Sequence, residues 1–423
     1  MVLSLEKFIA NLMMKNNLNQ SIKVIKTRKY KDINLYLRFS IENNPLMKEK
    51  VALLCKLVGD ISEKYPTKLS MTKAKDMLYG MSLNTSYKVR ANIITFSLHY
   101  SFINPKFLRT SIKEDRDFIL ETLNNSIINA NTLDEAKRTI KAATLRKNDN
   151  PTSKANQRFI DIVSKDNPSF GIYSENNDYI NNIDIIELDD LINTYKKIVN
   201  NAQLNVYLCG DLKTSDIKTL TDFDFTNRKK IKFRFSKLTC PEKRMIVDKL
   251  DISQSYLSVV YKTPFNKAHK DYFAWFLGNA FLGILPTSLL FNEVREKMSL
   301  CYAISSIDYK NEGIVRIVTS IDAKNKNKTI KAIEKQIKRL IDIDYDISQL
   351  DITKTLLCNS LMGTYDDLDA LIDYYYESHI SGFNYSIQEY IEKIMAVTPK
   401  DISNVYKRYS HYFNYILLGT KDE

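Results

Sequence analysis

The chain contains two similar segments that lie half a chain length apart. Residues 188–211 and 398–420 each have the pattern of a short amphipathic helix followed by an apolar strand that stops at a glycine. A chain of 423 residues is too long for one ordinary core, since domains typically hold about 100–200 residues. The sequence therefore predicts two homologous halves, 1–225 and 226–423. The helices correspond at an offset of 211 residues through Asp190 and Asp401, Asn193 or its neighbour and Asn404, Tyr195 and Tyr406, and Lys196 and Lys407.

The order of predicted elements also agrees between the halves. Each half has strands in hairpin order followed by two long helical patterns, at 106–145 in the first half and 326–361 in the second. Adjacent strands in this order favour mainly antiparallel sheets packed with helices, an α+β fold. The predicted strands are 32–40, 81–89 and 91–102 in the first half and 254–263, 301–310 and 313–323 in the second.

Several motifs that would indicate chemistry are missing from the sequence. The chain has 10 glycines and lacks both G-x-G-x-x-G and G-x-x-x-x-G-K-[ST], so nucleotide binding of those kinds is unsupported. The five cysteines form no C-x-x-C pair and are predicted to be reduced and mostly buried. The histidines are far apart, and no zinc, serine or cysteine catalytic constellation can be assembled from residues close in sequence. They are His99, His269, His379 and His411.

Charge and hydropathy limit the partners. The formal net charge of +12 would suit nucleic acid, but the lysines are spread along the chain, and those of 324–339 have a helical period typical of a solvated face. An acidic protein partner or an acidic peptide explains the charge equally well. No apolar run approaches the ~18 residues that cross a bilayer. Glu6, Lys7 and Asn11 interrupt the apolar amino terminus, so we predict a cytoplasmic protein without membrane contact.

The densest chemistry lies in residues 289–306, LLFNEVREKMSLCYAISS. This segment resembles the second half of an M16 (pitrilysin or insulinase-like) zinc peptidase, whose pattern is approximately L-F-x-E-[VIL]-R-E-K-x-G-L-x-Y. Ser299 replaces the usual glycine. The resemblance extends over essentially the whole chain through the duplication, and it implies the M16 (LuxS-like) fold. The matching positions are Phe291, Glu293, Arg295, Glu296, Lys297, Leu300 and Tyr302.

Active members of this family carry H-x-x-E-H on an early helix and a glutamate ligand on a later one. Two histidines four residues apart hold zinc, and the glutamate between them acts as a base on the bound water. In this chain Ala52, Cys55 and Lys56 occupy those positions, and the later ligand falls at Ala142 or Ala143. The resemblance therefore implies that the chain holds no zinc and needs no other cofactor.

Within the family, residues 63–86 most resemble a non-catalytic bacterial subfamily named for elongation factor P 5-aminopentanol modification. The Y-P-[ST] and D-x-L-Y-G elements, at 65–67 and 76–80, carry this narrower resemblance. Members resemble processing-peptidase partners that pair with a zinc-bearing sister chain carrying H-x-x-E-H.

The resemblance implies that Arg295 and Tyr302 bind the substrate peptide. Arginine can donate several hydrogen bonds to carbonyl oxygens, and tyrosine can donate one to a developing oxyanion. The alternative is that Arg295 caps its own helix or pairs with Glu293 or Glu296, while Tyr302 packs. Taken together, the sequence predicts a non-catalytic subunit of a heterodimeric zinc peptidase. A non-enzymatic scaffold derived from such a peptidase, or a basic module that binds nucleic acid or ribosomes, are the alternatives.

Overall fold

A computed structural model describes the chain in four stretches, residues 21–108, 110–226, 228–235 and 244–421. They form two compact units. The first unit contains the described residues up to Leu145 together with Glu175–Lys232, and the second contains Arg146–Ser174 together with the described residues from Phe233 onward. These compact units are discontinuous in the chain and differ from the predicted continuous halves 1–225 and 226–423. The boundary between residues 225 and 226 therefore stays a prediction.

Each unit is built on a sheet of five strands. The first sheet contains β1 (Ile22–Lys26), β2 (Asp32–Glu42), β3 (Ser82–Arg90), β4 (Ile93–Ile103) and β5 (Gln203–Gly210). The second sheet contains β6 (Met245–Leu250), β7 (Ser255–Lys262), β8 (Ala303–Tyr309), β9 (Ile314–Ile321) and β10 (Ser410–Gly419).

The two sheets have the same topology. Their strand orders are β1-β5-β2-β4-β3 and β6-β10-β7-β9-β8, which correspond strand by strand. In each sheet the outer strand β1 or β6 pairs in parallel with its neighbour, and the remaining pairs are antiparallel. The predicted α+β fold with two mainly antiparallel sheets is confirmed. Strands β1 and β6 were not indicated by the sequence pattern.

Helices cover both sheets. The helices up to residue 220 are, in chain order, α1 (Met47–Leu57), α2 (Lys68–Met77), α3 (Ile112–Asn124), α4 (Ala130–Asp149), α5 (Pro151–Asp166), α6 (Asn177–Asp184), α7 (Leu188–Asn201) and α8 (Thr214–Leu220). The later helices are α9 (Tyr272–Asn279), α10 (Lys326–Asp342), α11 (Ile347–Gly363), α12 (Leu368–Ser381), α13 (Ile387–Met395) and α14 (Pro399–Tyr406). Short 3-10 turns span Pro105–Phe107, Pro168–Tyr173 and Ala323–Asn325, and π-helical segments span Ala280–Ile284 and Leu290–Lys297.

None of the described helices is both long and apolar enough to span a membrane. Local signals in the sequence set several helix starts. Thr398 accepts a hydrogen bond from the Asp401 amide, while the Asp401 side chain accepts from the Thr398 amide, and Pro399 occupies the first helical position of α14. The Asn150 side chain caps α5 in front of Pro151 by accepting hydrogen bonds from the Thr152 and Ser153 amides.

Helix α5 precedes the first-unit segment Glu175–Lys232 in the chain but packs on the second sheet. Its Phe159 is fully buried, and its ring lies 4.0 Å from the guanidinium of Arg316 on β9. Arg316 is 3% exposed, and it donates hydrogen bonds to the Ser258 hydroxyl at 3.0 Å and to the Asn156 amide oxygen. A buried cation requires such acceptors, so these contacts attach α5 to one face of the sheet. The core between them contains Ala155, Phe159, Ile160, Ile162, Val163, Phe170, Val260, Ile314, Tyr412, Phe413, Tyr415 and Leu417.

Candidate functional site

Helix α1 carries the residues that the family resemblance places at the positions of the two histidine ligands and the glutamate base. Val51 and Leu54 are fully buried, and Ala52 beside them is 4% exposed. Lys56 is exposed and Cys55 is half-buried. Burial raises the pKa of the Cys55 thiol to about 12, an effect that the nearby Lys56 charge only partly offsets. A thiol that stays protonated at neutral pH is a poor metal ligand, since thiolate is the binding form.

The later ligand position also offers no coordinating group. Ala142 and Ala143 lie on the exposed side of α4, whereas Leu133, Ala136 and Ile140 face the core. Within the part of the chain that the structure describes, no group of three or more His, Cys, Asp or Glu residues could hold a metal ion. The residues present at these positions therefore do not fit the zinc that active M16 peptidases hold.

Polar side chains that the sequence analysis missed surround the start of α1. Lys48 lies 3.9 Å from the Glu175 carboxylate and 4.8 Å from the ring of Tyr179. The hydroxyl of Tyr87 on β3 lies 3.5 Å from the same carboxylate. Burial is the main cause that raises the pKa of Tyr87 and of Tyr179 well above the usual tyrosine range. These groups come from distant parts of the chain, so no local spacing could have indicated them.

The two short elements that carry the narrower subfamily resemblance bracket α2. The Thr67 hydroxyl, within 65–67, caps the start of the helix. Tyr79 and Gly80, within 76–80, adopt positive φ angles of 55° and 81° just after its end. Both elements thus have a structural explanation, and the subfamily itself stays a prediction.

In the second unit, the segment that contains Arg295 is π-helical over Leu290–Lys297. Leu290 and Val294 are fully buried and fix one side of the segment. It ends where the Met298 amide bonds to the Glu293 carbonyl at 3.1 Å, and Ser299 follows with a φ of 48°. This left-handed conformation favours glycine, which explains the glycine in the family pattern at this position.

Arg295 is held by three neighbours. Its Nε donates a hydrogen bond of 3.0 Å to the main-chain carbonyl of Tyr302, and its Nη1 lies 3.2 Å from the Glu296 carboxylate. The guanidinium carbon lies 4.5 Å from the centre of the Phe291 ring. The side chain nevertheless remains 37% exposed. The arrangement fixes the guanidinium while part of it can reach a ligand.

Tyr302 lies at the entrance to β8 and is 59% exposed. Its amide donates to the Ser320 carbonyl at 3.1 Å, so its backbone is anchored to β9. Its hydroxyl lies 3.4 Å from the Asp322 carboxylate, a long and weak hydrogen bond. An exposed phenol on an anchored backbone can donate to a peptide carbonyl, and the Arg295 side chain contacts the main chain of the same residue.

Glu293 ties this segment to α10. Its carboxylate lies 2.7 Å from Lys297 Nζ and 3.4 Å from Arg339 Nη1. The hydrogen bond from Lys297 is the main cause that lowers the pKa of Glu293. Glu293 is the glutamate of the family pattern, and its ion pairs anchor the segment to α10. Its lowered pKa does not suit it to donate a proton as an acid.

Comparison with known proteins agrees with these features. Residues 186–357 match the family model of the Peptidase M16 inactive domain. The chain is 24% identical over 414 residues to the probable inactive metalloprotease YmfF of Bacillus subtilis (strain 168), covering 94% of this chain and 95% of that protein.

Solved structures show the same fold. A conserved protein from Enterococcus faecalis V583 has a TM-score of 0.85 at 24% identity, covering 95% of this chain and 97% of that chain. A peptidase M16 inactive domain from Pseudomonas fluorescens has a TM-score of 0.73 at 16% identity, covering 94% and 96%. Residues 186–357 thus resemble the Peptidase M16 inactive domain, and the chain as a whole shares the fold of the solved M16-like structure from Pseudomonas fluorescens.

Proposed function

We propose that this chain is the non-catalytic subunit of a heterodimeric M16-type zinc peptidase and that it binds the substrate peptide through Arg295 and Tyr302. A sister M16 chain carrying H-x-x-E-H would supply the zinc site. The observation that carries the proposal is that Tyr302 is 59% exposed while Arg295 holds its carbonyl at 3.0 Å. We place the heterodimer in the cytoplasm, as predicted from the sequence.

The chemistry of the two side chains supports a role in peptide binding. The Tyr302 hydroxyl can exchange its long hydrogen bond with Asp322 for a ligand carbonyl at little cost. A fixed guanidinium loses little conformational entropy when it binds a carbonyl or carboxylate. Neither group can activate water, so cleavage would depend on the sister chain.

A non-enzymatic scaffold is the second candidate. Glu296 and Phe291 satisfy much of the Arg295 guanidinium within its own segment, as expected if this arginine only stabilises the fold. A scaffold of this kind would keep a protein partner without contributing to peptide affinity.

Co-purification from native cells, followed by identification of the bound chain and its metal content, tests the assembly. We expect a zinc-bearing H-x-x-E-H chain in equimolar amount. Peptide affinity of the reconstituted pair should fall in Arg295→Ala and Tyr302→Phe. Two matched controls should leave it unchanged: Arg158→Ala, which removes an exposed ion pair with Asp248 at 2.8 Å, and Tyr79→Phe at a tyrosine that is 48% exposed. A stable pair with unaltered peptide affinity in both site variants would favour the scaffold.

A further inference from the structure

Helix α10 and the turn before it carry a row of exposed lysines on one side. Successive members are three or four residues apart, which places them on one helical face with about 5–6 Å between neighbouring positions. Lys324 and Lys338 are 14 residue steps apart, so the row extends about 21 Å along the helix axis. We call it the lysine stripe, and it consists of Lys324, Lys328, Lys331, Lys335 and Lys338.

The stripe is not explained by folding. The opposite side of α10 attaches the helix to the core through Ile333 and Leu340, both fully buried. Like charges at this spacing destabilise a helix, and the exposed Glu334 on α10 offsets only part of this repulsion. Among the described residues, no carboxylate lies within 4 Å of a stripe lysine, although the π-helical segment has ion pairs such as Lys297 with Glu293. The face is therefore complementary to an anionic ligand outside the chain.

The stripe lies next to the Arg295 and Tyr302 site. Lys324 follows Asp322 by two residues, and Asp322 accepts the Tyr302 hydroxyl at 3.4 Å. Arg339, one residue after the last stripe lysine, lies 3.4 Å from Glu293 of the π-helical segment. A ligand bound at Tyr302 can therefore continue along α10.

The composition of α10 favours an acidic peptide over the other anions. Residues Lys326–Asp342 include no aromatic side chain on which a base could stack. The strongly apolar residues Ile333 and Leu340 point into the core and cannot insert into a membrane. Alternate side chains of an extended peptide repeat at about 6.6 Å on one face, close to the lysine spacing.

We infer that the lysine stripe selects peptides with acidic side chains on the segment next to the part bound at Arg295 and Tyr302. This inference rests on the proposed peptide-binding function and adds its substrate class. The lysine stripe makes the protein prefer peptides with acidic side chains, because several exposed charges act together on one ligand. Arg295 and Tyr302 contact the peptide backbone and therefore do not depend on the peptide's sequence.

The test is fluorescence anisotropy with the full chain, alone and with its sister chain. One labelled peptide has glutamate at alternate positions, and a second has glutamine at the same positions. The variant Lys328→Glu/Lys335→Glu reverses two stripe charges, and Lys196→Glu/Lys197→Glu makes the same change in net charge at exposed lysines of α7. A single-stranded RNA oligomer serves as the competing anion.

We expect the glutamate peptide to bind about tenfold more tightly than the glutamine peptide at low salt, with the difference shrinking as salt is raised. The stripe variant should remove the difference, and the α7 variant should keep it. Equal affinity for two peptides that both depend on Tyr302 would overturn the acidic preference and leave the proposed function intact. No binding of either peptide would overturn both. RNA binding that is tighter than glutamate-peptide binding and equally sensitive to the stripe variant would also overturn the inference.

Discussion

Nε of Arg295 donates a hydrogen bond of 3.0 Å to the main-chain carbonyl of Tyr302, seven residues further along the chain. The bond closes a loop between the end of the π-helical segment and the entrance to β8. Ser299 lies inside this loop with a φ of 48°. The arginine thus holds the backbone of the tyrosine in place while the tyrosine ring stays in solvent.

The first prediction concerns Tyr302→Phe and Arg295→Ala in the proposed heterodimer with a zinc-bearing sister chain. If Tyr302 donates to a developing oxyanion, its variant should lower turnover by about 10²–10³. Its melting temperature should barely change, since the side chain is 59% exposed. Steady-state kinetics and thermal melting on the same preparations measure both effects. A rise confined to the Michaelis constant would indicate ground-state peptide binding, and normal turnover in both variants would exclude contact with the substrate.

The second prediction concerns Ser299→Gly. A side chain at positive φ costs about 1 kcal/mol, and glycine removes that cost. The substitution should raise the free energy of unfolding by about 0.5–1 kcal/mol, allowing for the greater freedom of glycine in the unfolded chain. Chemical denaturation measures the change. Ser299→Ala is the control and should stay close to the parent protein; a stabilisation equal to that of glycine would mean that the serine hydroxyl, not φ, is responsible.

The third prediction concerns metal binding. Because Ala52 and Lys56 stand where the two histidine ligands would be, and the protonated Cys55 stands where the glutamate base would be, the purified chain should retain only substoichiometric zinc after dialysis. It should also lack peptidase activity on its own. Metal analysis and a peptide cleavage assay test this together. Stoichiometric zinc combined with hydrolysis that a chelator abolishes would show that a zinc site exists elsewhere in the chain.

The fourth prediction concerns Asp115 on α3. The residue is 4% exposed, its Oδ2 has no hydrogen-bond partner among the described residues, and burial raises its pKa to about 7. The folded state therefore binds this proton more tightly than the unfolded state. The free energy of unfolding should fall as pH rises from about 4 to about 7 and lose nothing further from this group above that range.

Asp115→Asn should remove this pH dependence and stabilise the protein by about 1–3 kcal/mol at pH 8, because a neutral amide avoids burial of a charge. Denaturation curves at pH 5 and pH 8 separate the two effects. The variant and the parent protein losing stability in parallel between these pH values would argue against a raised pKa at Asp115.

The fifth prediction concerns the glycine that ends β10. A Cβ at Gly419 would overlap the carbonyl oxygen of Ile252 and lie 3.0 Å from that of Gln254. Gly419→Ala should therefore lower the free energy of unfolding by about 1–3 kcal/mol. Gly363, at the end of α11, has open space around its Cβ position, so Gly363→Ala should be neutral or slightly stabilising. Equal effects at the two positions in thermal melting would refute the steric explanation.

Periodicity, turn residues and duplication determined much of the fold. Residues 188–211 and 398–420 form a helix followed by a strand in both units, as predicted, because helix caps and alternation are local properties of the chain. The missing histidines on α1 and the pattern around Arg295 could also be found without coordinates, because a lost ligand is a fact of residue identity. The sequence by itself thus determined the fold class and the family resemblance.

Only the tertiary structure decided which distant residues meet. The parallel strands β1 and β6 depend on pairing with β5 and β10, which lie far away in the chain. Helix α5 joins the second sheet through Phe159 and the buried Arg316, a contact that leaves no periodic signal in either segment. The hydrogen bond from Arg295 to the Tyr302 carbonyl depends on a left-handed residue between them. Such contacts are set by long-range packing and backbone conformation, whereas sequence patterns record only which side chains share a local face.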